Sequence, residues 1–403
     1  MGIMDKIEEL LTRGVDTIYP TKEELEKVLR SGKKLTLYQG FDPTGTQLHI
    51  GHMIGLKKLR QWQDLGHHVI FLIGDGTGQA GDPSGKLTAR DKFLTREELR
   101  KNATDYVKQA GKIMRFEGEN PIEIRFNGDW LNKLTLVDIL EILGHLSLQQ
   151  LEERDLFEKR KKNGQTVNMR EFIYPILQGY DSVAMEVDLE LGGSDQMFNM
   201  LIGRQLLKAM KQKDKFVMTT PLLADSEGRK IGKTEGNVIA LTDTPNELYG
   251  KLLTLPDEVI IKGFEYLTNV PMDEIKKYEK SLKEGENPMI YKKKLALEIT
   301  KDLHSEEASE KAQEHFEKTV QQKELPTEIT EVTLDAGDEE MVNEVLLVAL
   351  NLASSKAEAK RLFEQNGVEV NSLKIQVKDT VAITDGMIIK VGKRKIVRIK
   401  MSS

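Results

Sequence analysis

Two short runs, far apart in the chain, have the residue types needed to handle phosphate. The first is Leu48-His49-Ile50-Gly51-His52, where a strand and turn give way to a helical pattern. One turn of helix sets His49 and His52 on the same face, near the positive end of the dipole and its free backbone N–H groups. Gly51 there lets a nucleotide come close to the backbone. The second run is Lys230-Ile231-Gly232-Lys233-Thr234, inside the Gly-rich polar segment Asp225–Asn237. Two lysines about a glycine suit a loop that closes on phosphates and brings positive charge to where negative charge develops. Taken singly, each run has a plain alternative: two surface histidines at a helix start, and a solvated basic turn.

A third set lies on one helical stretch. Tyr174, Gln178 and Asp181 fall at i, i+4 and i+7, one face of a helix. Such a face ordinarily buries apolar residues, so these three mean either a polar pocket or a solvent-exposed stripe. Spacing alone leaves both open. Two other matches fail. Gly76-Thr77-Gly78-Gln79-Ala80-Gly81 fits Gly-x-Gly-x-x-Gly, but a dinucleotide fold needs a helix to start there, and Pro83 and Gly85 interrupt one. Gly85-Lys86 hints at a phosphate loop, yet Ala80 stands where the leading glycine belongs and Leu87 where Ser or Thr is needed. His67-His68 lies at a helix-to-strand turn without a ligand set, so both rings are expected in solvent.

The elements that must position these groups read as α/β. Strands are predicted at Leu35–Phe41, Val69–Gly74, Ile122–Phe126 and Asp188–Leu191. Helices are predicted at Leu48–Leu65, from Thr95 (where Thr95-Arg96-Glu97-Glu98 makes a capping box), and at Leu136–Leu146, Arg170–Met185 and Ser194–Met210. That alternation argues for βαβ units and a doubly wound parallel sheet over residues 1–240. Residues 241–320 are rich in Glu, Lys and Leu at helical spacing, punctuated by Pro245, Pro256, Pro271 and Pro288, and read as an α-helical domain. Residues 321–340 have many acids and little apolar periodicity and read as a linker. Residues 341–403 begin with two short helices and pass to period-two alternation, a small α+β domain.

With 403 residues, 39% of them hydrophobic and 31% charged, the chain is expected to form two or three globular domains. No run approaches the roughly 18 apolar residues of a membrane span. Met1–Gly14 carries acids among its apolar residues and reads as no signal peptide. The absence of cysteine excludes disulfides and thiolate metal sites and fits a reducing cytoplasm. The net charge of −6 is unevenly spread: residues 341–403 hold eleven Lys/Arg against six Asp/Glu, which leaves −11 for the rest. A basic tail on an acidic body is compatible with RNA contact.

Asp42-Pro43-Thr44 before the His49–His52 run, with Lys230–Thr234 far downstream, resembles the paired signatures of the class I aminoacyl-tRNA synthetases. The downstream copy departs from the commoner Lys-Met-Ser-Lys-Ser but keeps both lysines. Tyr38–Thr44, Gly81–Lys86, the Tyr174/Gln178/Asp181 set and Gly192-Gly193-Ser194-Asp195-Gln196 resemble the tyrosyl branch, bacterial type. The resemblance implies a Rossmann-like catalytic domain, ATP as substrate, and a homodimer. It implies that Tyr38 and Asp181 hold a phenolic hydroxyl, and that Tyr174, Gln178, Asp82 and Gln196 hold an α-ammonium. It also implies that Gly40, Asp42, Gly51, Gly192, Gly193, Asp195, Lys233 and Thr234 receive ATP. Thr44, His49, His52, Lys86, Arg90, Lys230 and Lys233 would act on the phosphates. No metal is expected beyond magnesium arriving with ATP. One departure is Glu190, where the family often has Gln, and it puts the local contacts in question.

The tail, Ser354–Phe363 and Gly367–Asn371, is similar to an S4-type RNA-binding domain. Lys356, Lys360 and Arg361 share a helix face by spacing, and Lys393, Arg394, Lys395 and Arg398 add a basic β edge. The implied partners are tyrosine, ATP and its tRNA. The rival readings are a tryptophanyl-tRNA synthetase, opposed by the Tyr174 set and the tail, and a non-catalytic RNA-binding paralogue, opposed by the intact His49, His52, Lys230 and Lys233. A nicotinamide enzyme stands further off.

Overall fold

The computed structural model describes residues 3–82, 94–152, 160, 162–225, 228, 230–231, 238–318, 329–334, 342–371, 373–375, 381–392 and 395–401. The chain divides into two compact units, Met1–Ala312 and Gln313–Ser403.

The first unit is built on six strands: β1 (Thr17–Tyr19), β2 (Thr36–Phe41), β3 (His68–Ile73), β4 (Glu123–Phe126), β5 (Leu189–Gly193) and β6 (Phe216–Thr220). Their order is β1-β6-β5-β2-β3-β4. All neighbours run parallel except β1 against β6. β3 is buried along its length beyond His68, as expected of a parallel strand covered on both faces. From β2 the chain winds outward through β3 and β4, then returns to build β5 and β6 on the other side. The order therefore reverses between β2 and β5, whose carboxyl ends open a crevice, the usual ligand position in such sheets.

The predicted strands and helices are present with ends shifted by up to three residues. The Thr95 hydroxyl and the Glu98 side chain close the expected capping box on the Arg96–Ala110 helix. The four prolines stand at or just before helix starts; Thr244 and Asn287 cap the helices that open with Pro245 and Pro288. These helices lie in the same compact unit as the sheet, where the sequence reading sets 241–320 apart. Arg13, near the N-terminus, donates to the carbonyls of Phe264, Glu265 and Thr268, and Lys57 pairs with Asp302 at 2.6 Å. Long-range polar contacts of this kind leave no periodicity in the sequence.

In the second unit the helices Glu344–Ala349 and Lys356–Glu364 accompany a sheet of β7 (Thr330–Leu334), β8 (Val368–Val370), β9 (Leu373–Lys374), β10 (Ile388–Val391) and β11 (Lys395–Met401). Leu347, Ala359, Phe363, Val368, Ile389 and Ile399 form its core. β7 corrects the linker reading: five residues within 321–340 pair in parallel with β11. The alternation Thr330-Glu331-Val332-Thr333-Leu334 carries a strand's pattern, hidden among the surrounding acids. Among the described residues, no helix is long and apolar enough to cross a membrane.

Candidate active site

The crevice at the β2/β5 reversal is a cleft of about 430 Å³. Tyr38, Gly40, Asp42 and Thr44 enter it from β2 and the turn beyond. Gly192, Gly193, Asp195 and Gln196 enter from the end of β5, and Asp82 from beyond β3. The Met169–Met185 helix turns Tyr174, Gln178 and Asp181 into it. With Tyr174 and Asp181 only 6% and 2% exposed, the polar face is a pocket wall, and the solvent-exposed alternative falls.

At the deep end, both oxygens of Asp181 accept hydrogen bonds, from Asn127 Nδ2 at 3.0 Å and Trp130 Nε1 at 2.8 Å. Burial pushes the Asp181 carboxyl up, and these two donors oppose the shift. Burial, with nearby carboxylates adding to it, also holds the hydroxyls of Tyr38 and Tyr174 protonated, well above their ordinary range. Tyr38 Oη lies 3.0 Å from Ser182 Oγ. Tyr174 Oη donates to Asp42 Oδ2 at 2.9 Å, and Thr77 Oγ1 donates to Asp42 Oδ1 at 2.7 Å. The resemblance puts Asp42 on the nucleotide, yet both its carboxylate oxygens are engaged by Tyr174 and Thr77. A Cβ on Gly74 would come within 1.9 Å of Asp42 Oδ1, so glycine there makes room for the carboxylate. An amide cluster closes this side. Gln196 Nε2 donates to Asp82 at 2.9 Å, and Asn199 Nδ2 donates to Gln196 Oε1 at 2.8 Å and Gln178 Oε1 at 2.9 Å.

At the open end, His49 caps the Ile50–Asp64 helix. Its Nδ1 accepts from Gly51 N–H at 3.1 Å, while His52 Nδ1 accepts from His49 N–H at 3.2 Å. With both Nδ1 atoms used as acceptors, a neutral ring carries its proton on Nε2. The two rings lie 4.0 Å apart at a helix N-terminus, an arrangement that presents N–H donors to an anion. The segment beyond the lysine run is tied to them. Ile50 N–H donates to Ile239 O, Leu241 N–H donates to Leu48 O, and Ala240 bridges to His49. At the start of that run, Lys230 pairs antiparallel with Ala224, and its ammonium meets Asp195 Oδ2 at 2.7 Å. Lys230, at the cleft mouth, thus begins with a carboxylate partner. Lys86, Arg90, Lys233 and Thr234, with Lys393 and Arg394 of the tail, lie outside the described residues.

Sequence reasoning missed Thr77, Asn127, Trp130, Ser182, Asn199 and Lys215. Asn127 and Trp130 directly follow β4, and the rule that ligands sit beyond strand carboxyl ends was the signal available for them. The Gly76–Gly81 run starts only the four-residue helix Thr77–Ala80, and Gly81 follows at φ 85°; Thr77 serves the pocket instead. His67 corrects a second expectation. It is 4% exposed, accepts the Leu35 N–H at 3.1 Å and packs edge-on to Trp62, because β2 begins against it. His68 is exposed and meets Glu123. In the tail, Lys356, Lys360 and Arg361 are exposed along one helix, Lys395 donates to Leu352 O, and Arg398 lies 3.7 Å from Glu331.

A parallel sheet with phosphate donors at a helix start and a polar pocket at its reversal point has close counterparts. The family model for class I tRNA synthetases (W and Y) matches residues 30–321, and the chain belongs to that family. The tyrosine–tRNA ligase of Thermotoga maritima is 43% identical over 97% of this chain and 96% of its own length. That of Dehalococcoides mccartyi is 40% identical over 97% and 98%. Within the class, the chain therefore falls among the bacterial-type tyrosyl-tRNA synthetases. Among solved structures, a C-terminally truncated mitochondrial tyrosyl-tRNA synthetase of Coccidioides posadasii superimposes with a TM-score of 0.62 at 26% identity, covering 77% of this chain and 91% of that one. The tyrosyl-tRNA synthetase of Archaeoglobus fulgidus complexed with L-tyrosine shares the fold at 20% identity, TM-score 0.61, over 77% of this chain and all of that one.

Proposed function

We propose that the cleft binds tyrosine with its phenol at Asp181 and Tyr38, activates it with ATP, and hands it to tRNA, the chain acting as a tyrosine–tRNA ligase. The observation that carries this reading is the inward polar face of Tyr174, Gln178 and Asp181, continuous with the His49/His52 helix start. The substrate's O–H donates to Asp181, and Tyr38 donates to the same phenolic oxygen. Tyr174, Gln178, Asp82 and Gln196 receive the α-ammonium, among carboxylates and amide oxygens suited to a cation. Phenylalanine in this pocket leaves buried polar groups unpaired; tyrosyl-tRNA synthetases are the standard example of that penalty, at about 10⁵-fold without editing.

No protein nucleophile is needed. The tyrosine carboxylate attacks the α-phosphate of ATP, brought as its magnesium complex, and pyrophosphate leaves. The protein supplies alignment and charge: Nε2–H donors from His49 and His52, the Thr44 hydroxyl, and cations from Lys230, Lys233, Lys86 and Arg90. Asp195 and the Gly192-Gly193 turn face the ribose, beside Gly40, Gly51 and Thr234. A terminal ribose hydroxyl of tRNA then attacks the tyrosyl carbonyl and AMP departs.

The tail, 341–403 with β7, is read as an S4-like module. Among the described residues, its exposed Lys356, Lys360 and Arg361 show no tie like the Lys395–Leu352 hydrogen bond or the Arg398–Glu331 ion pair, so the helix carries more of the phosphate contact than the β edge. Leu136, Val137 and Leu140, exposed by 71%, 73% and 59%, form an apolar helix face that fits a homodimer.

ATP–pyrophosphate exchange driven in turn by tyrosine, tryptophan and phenylalanine tests the reading. Exchange with tyrosine alone is expected. Exchange with tryptophan overturns the pocket assignment, and exchange with none of the three favours a non-catalytic RNA-binding role.

A further inference from the structure

Two turns that serve Asp181, one leaving β3 and one leaving β4, are laced together by their side chains. Asp75 Oδ1 accepts the Gly128 N–H at 2.7 Å, and Asn127 Oδ1 accepts the Gly76 N–H at 2.8 Å. Each turn thus satisfies a backbone donor of the other. The approach is closer than side chains would permit: a Cβ on Gly128 would come within 2.7 Å of Asp75 Oδ1, and one on Gly76 within 3.1 Å of Gly128 Cα. Asp75 is fully buried and does not line the cleft. Its other oxygen, Oδ2, accepts from Arg96 Nε at 2.8 Å and from Arg100 Nε at 2.7 Å. The same two guanidinium groups reach Asp129 Oδ1 at 2.6 and 2.8 Å, and Arg100 lies 4.7 Å over the Phe126 ring. The Arg96–Ala110 helix therefore grips the β4 exit on both sides of Gly128.

What this cluster holds is the pair of donors on Asp181. With its oxygen committed to the Gly76 N–H, Asn127 turns its NH2 to Asp181 Oδ2 at 3.0 Å and to Thr77 Oγ1 at 2.9 Å. Trp130 Nε1, three residues on, meets Asp181 Oδ1 at 2.8 Å. Both donors depend on where residues 127–130 sit, and Asp75 is the acceptor across from that turn. One N–H needs only a neutral acceptor. Two guanidinium Nε contacts add direction, because charge-assisted bonds of this kind fix a carboxylate's place as well as its energy. Buried charge clusters contribute little net stability, since desolvation offsets the attraction. Energy alone does not account for this one.

We propose that Asp75, braced by Arg96 and Arg100, is a positioning residue for phenol recognition: it holds the Asn127–Trp130 turn where both donors reach Asp181. This rests on the tyrosine reading of the pocket. With the donors in place, Asp181 keeps both oxygens oriented and a lone pair for the substrate's O–H. When the turn drifts, the buried carboxyl loses the two bonds that oppose its raised pKa, and tyrosine loses its advantage over phenylalanine.

The test uses the full chain in ATP–pyrophosphate exchange with tyrosine and phenylalanine. Asp75→Ala removes the acceptor for Gly128. The KM for tyrosine is expected to rise about tenfold, the worth of one hydrogen bond, with kcat and the KM for ATP changed less than about threefold. Values for phenylalanine should stay within about threefold, so that selectivity falls. A second variant, Arg96→Met with Arg100→Met, replaces side chains that are 29% and 43% exposed and keeps Asp75. It should lower selectivity at least threefold, and it carries the test alone if Asp75→Ala does not fold. A spectroscopic reading accompanies both. The chain has two tryptophans, so Trp62→Phe leaves Trp130 as the only reporter. Its emission should move to the red in either variant before any substrate is added. Equal losses for tyrosine and phenylalanine, an unmoved Trp130 emission, or unchanged selectivity in the arginine variant overturn the proposal. Asp181→Asn separates the two levels. If it leaves tyrosine selectivity intact, the phenol does not sit at Asp181 and the underlying reading fails; if it abolishes selectivity while the Asp75 and arginine variants retain it, only the role of Asp75 fails.

Discussion

Replacing Asp181 by Asn is the sharpest probe of the pocket, because it conserves shape and removes one acceptor. In the native site both carboxylate oxygens already accept, at 3.0 Å from Asn127 and 2.8 Å from Trp130, and in the proposed binding mode the substrate's O–H takes a remaining lone pair. Asparagine presents an NH2 where one of those oxygens stood. That NH2 faces another donor, Asn127 Nδ2 or Trp130 Nε1, or else points at the substrate's proton. The loss of one hydrogen bond to a charged acceptor is about 1.5–3 kcal/mol, and one buried donor left unmatched costs about 1–3 kcal/mol more. Taking about 4 kcal/mol in all, kcat/KM for tyrosine should fall about 10³-fold, at 1.36 kcal/mol per decade. Phenylalanine has no hydroxyl to lose, so its kcat/KM should move by less than about threefold. Selectivity therefore collapses from the tyrosine side alone, with the KM for ATP unchanged. Pyrophosphate exchange at saturating ATP, with either amino acid varied, reads both numbers. Equal losses for tyrosine and phenylalanine, or undiminished tyrosine activation, would refute the placement of the phenol at Asp181.

His49→Ala, by removing an N–H donor at the helix start, should lower kcat about 10²-fold or more while the KM for tyrosine changes little; comparable changes in both would mean the ring acts in ground-state binding. Removing the tail after Lys318, so that β7 leaves together with its partner β11, should spare adenylate formation and cripple aminoacylation at limiting tRNA. Charging that survives this truncation would show that the tail is not the RNA module. His67 supplies a pH dependence. Burial lowers its pKa from 6.5 to about 4, so the unfolded chain takes up this proton first as pH falls. The neutral ring's contribution is whole above about 6.5 and is lost progressively toward pH 4, by roughly 2 kcal/mol once partial solvent screening is allowed for. Urea unfolding at several pH values should show a shallower acid-side loss in His67→Gln, and an identical slope would exclude His67 as its source.

How much of this was legible can be judged element by element. The continuous apolar run Val69–Gly74 located β3, because a strand covered on both faces is apolar throughout; shorter apolar-rich runs located β2, β4 and β5, and Thr95 announced its helix by a cap that needs only neighbours in sequence. β6 escaped notice, since five residues ending in two threonines look like many loops. With β6 went Lys215, whose partners Ser182 and Glu190 lie 33 and 25 residues away. β7 was taken for linker because its pairing partner comes more than 60 residues later in the chain. His67 was assigned to solvent because the backbone N–H that claims its ring begins a strand 32 residues earlier.

The sequence by itself determined the family and many of the side chains that line the cleft. Those groups sit in short runs whose residue types and spacing are dictated by phosphate, by a helix start and by one face of a single helix. All of these are local relations. Only the tertiary structure decided whether that face looked inward, that Asp42 is tied up by Thr77 and Tyr174, and what stands behind Tyr38. Those outcomes depend on crossings between strands and helices distant in sequence, where burial fixes each proton's direction, and no spacing along one chain encodes them.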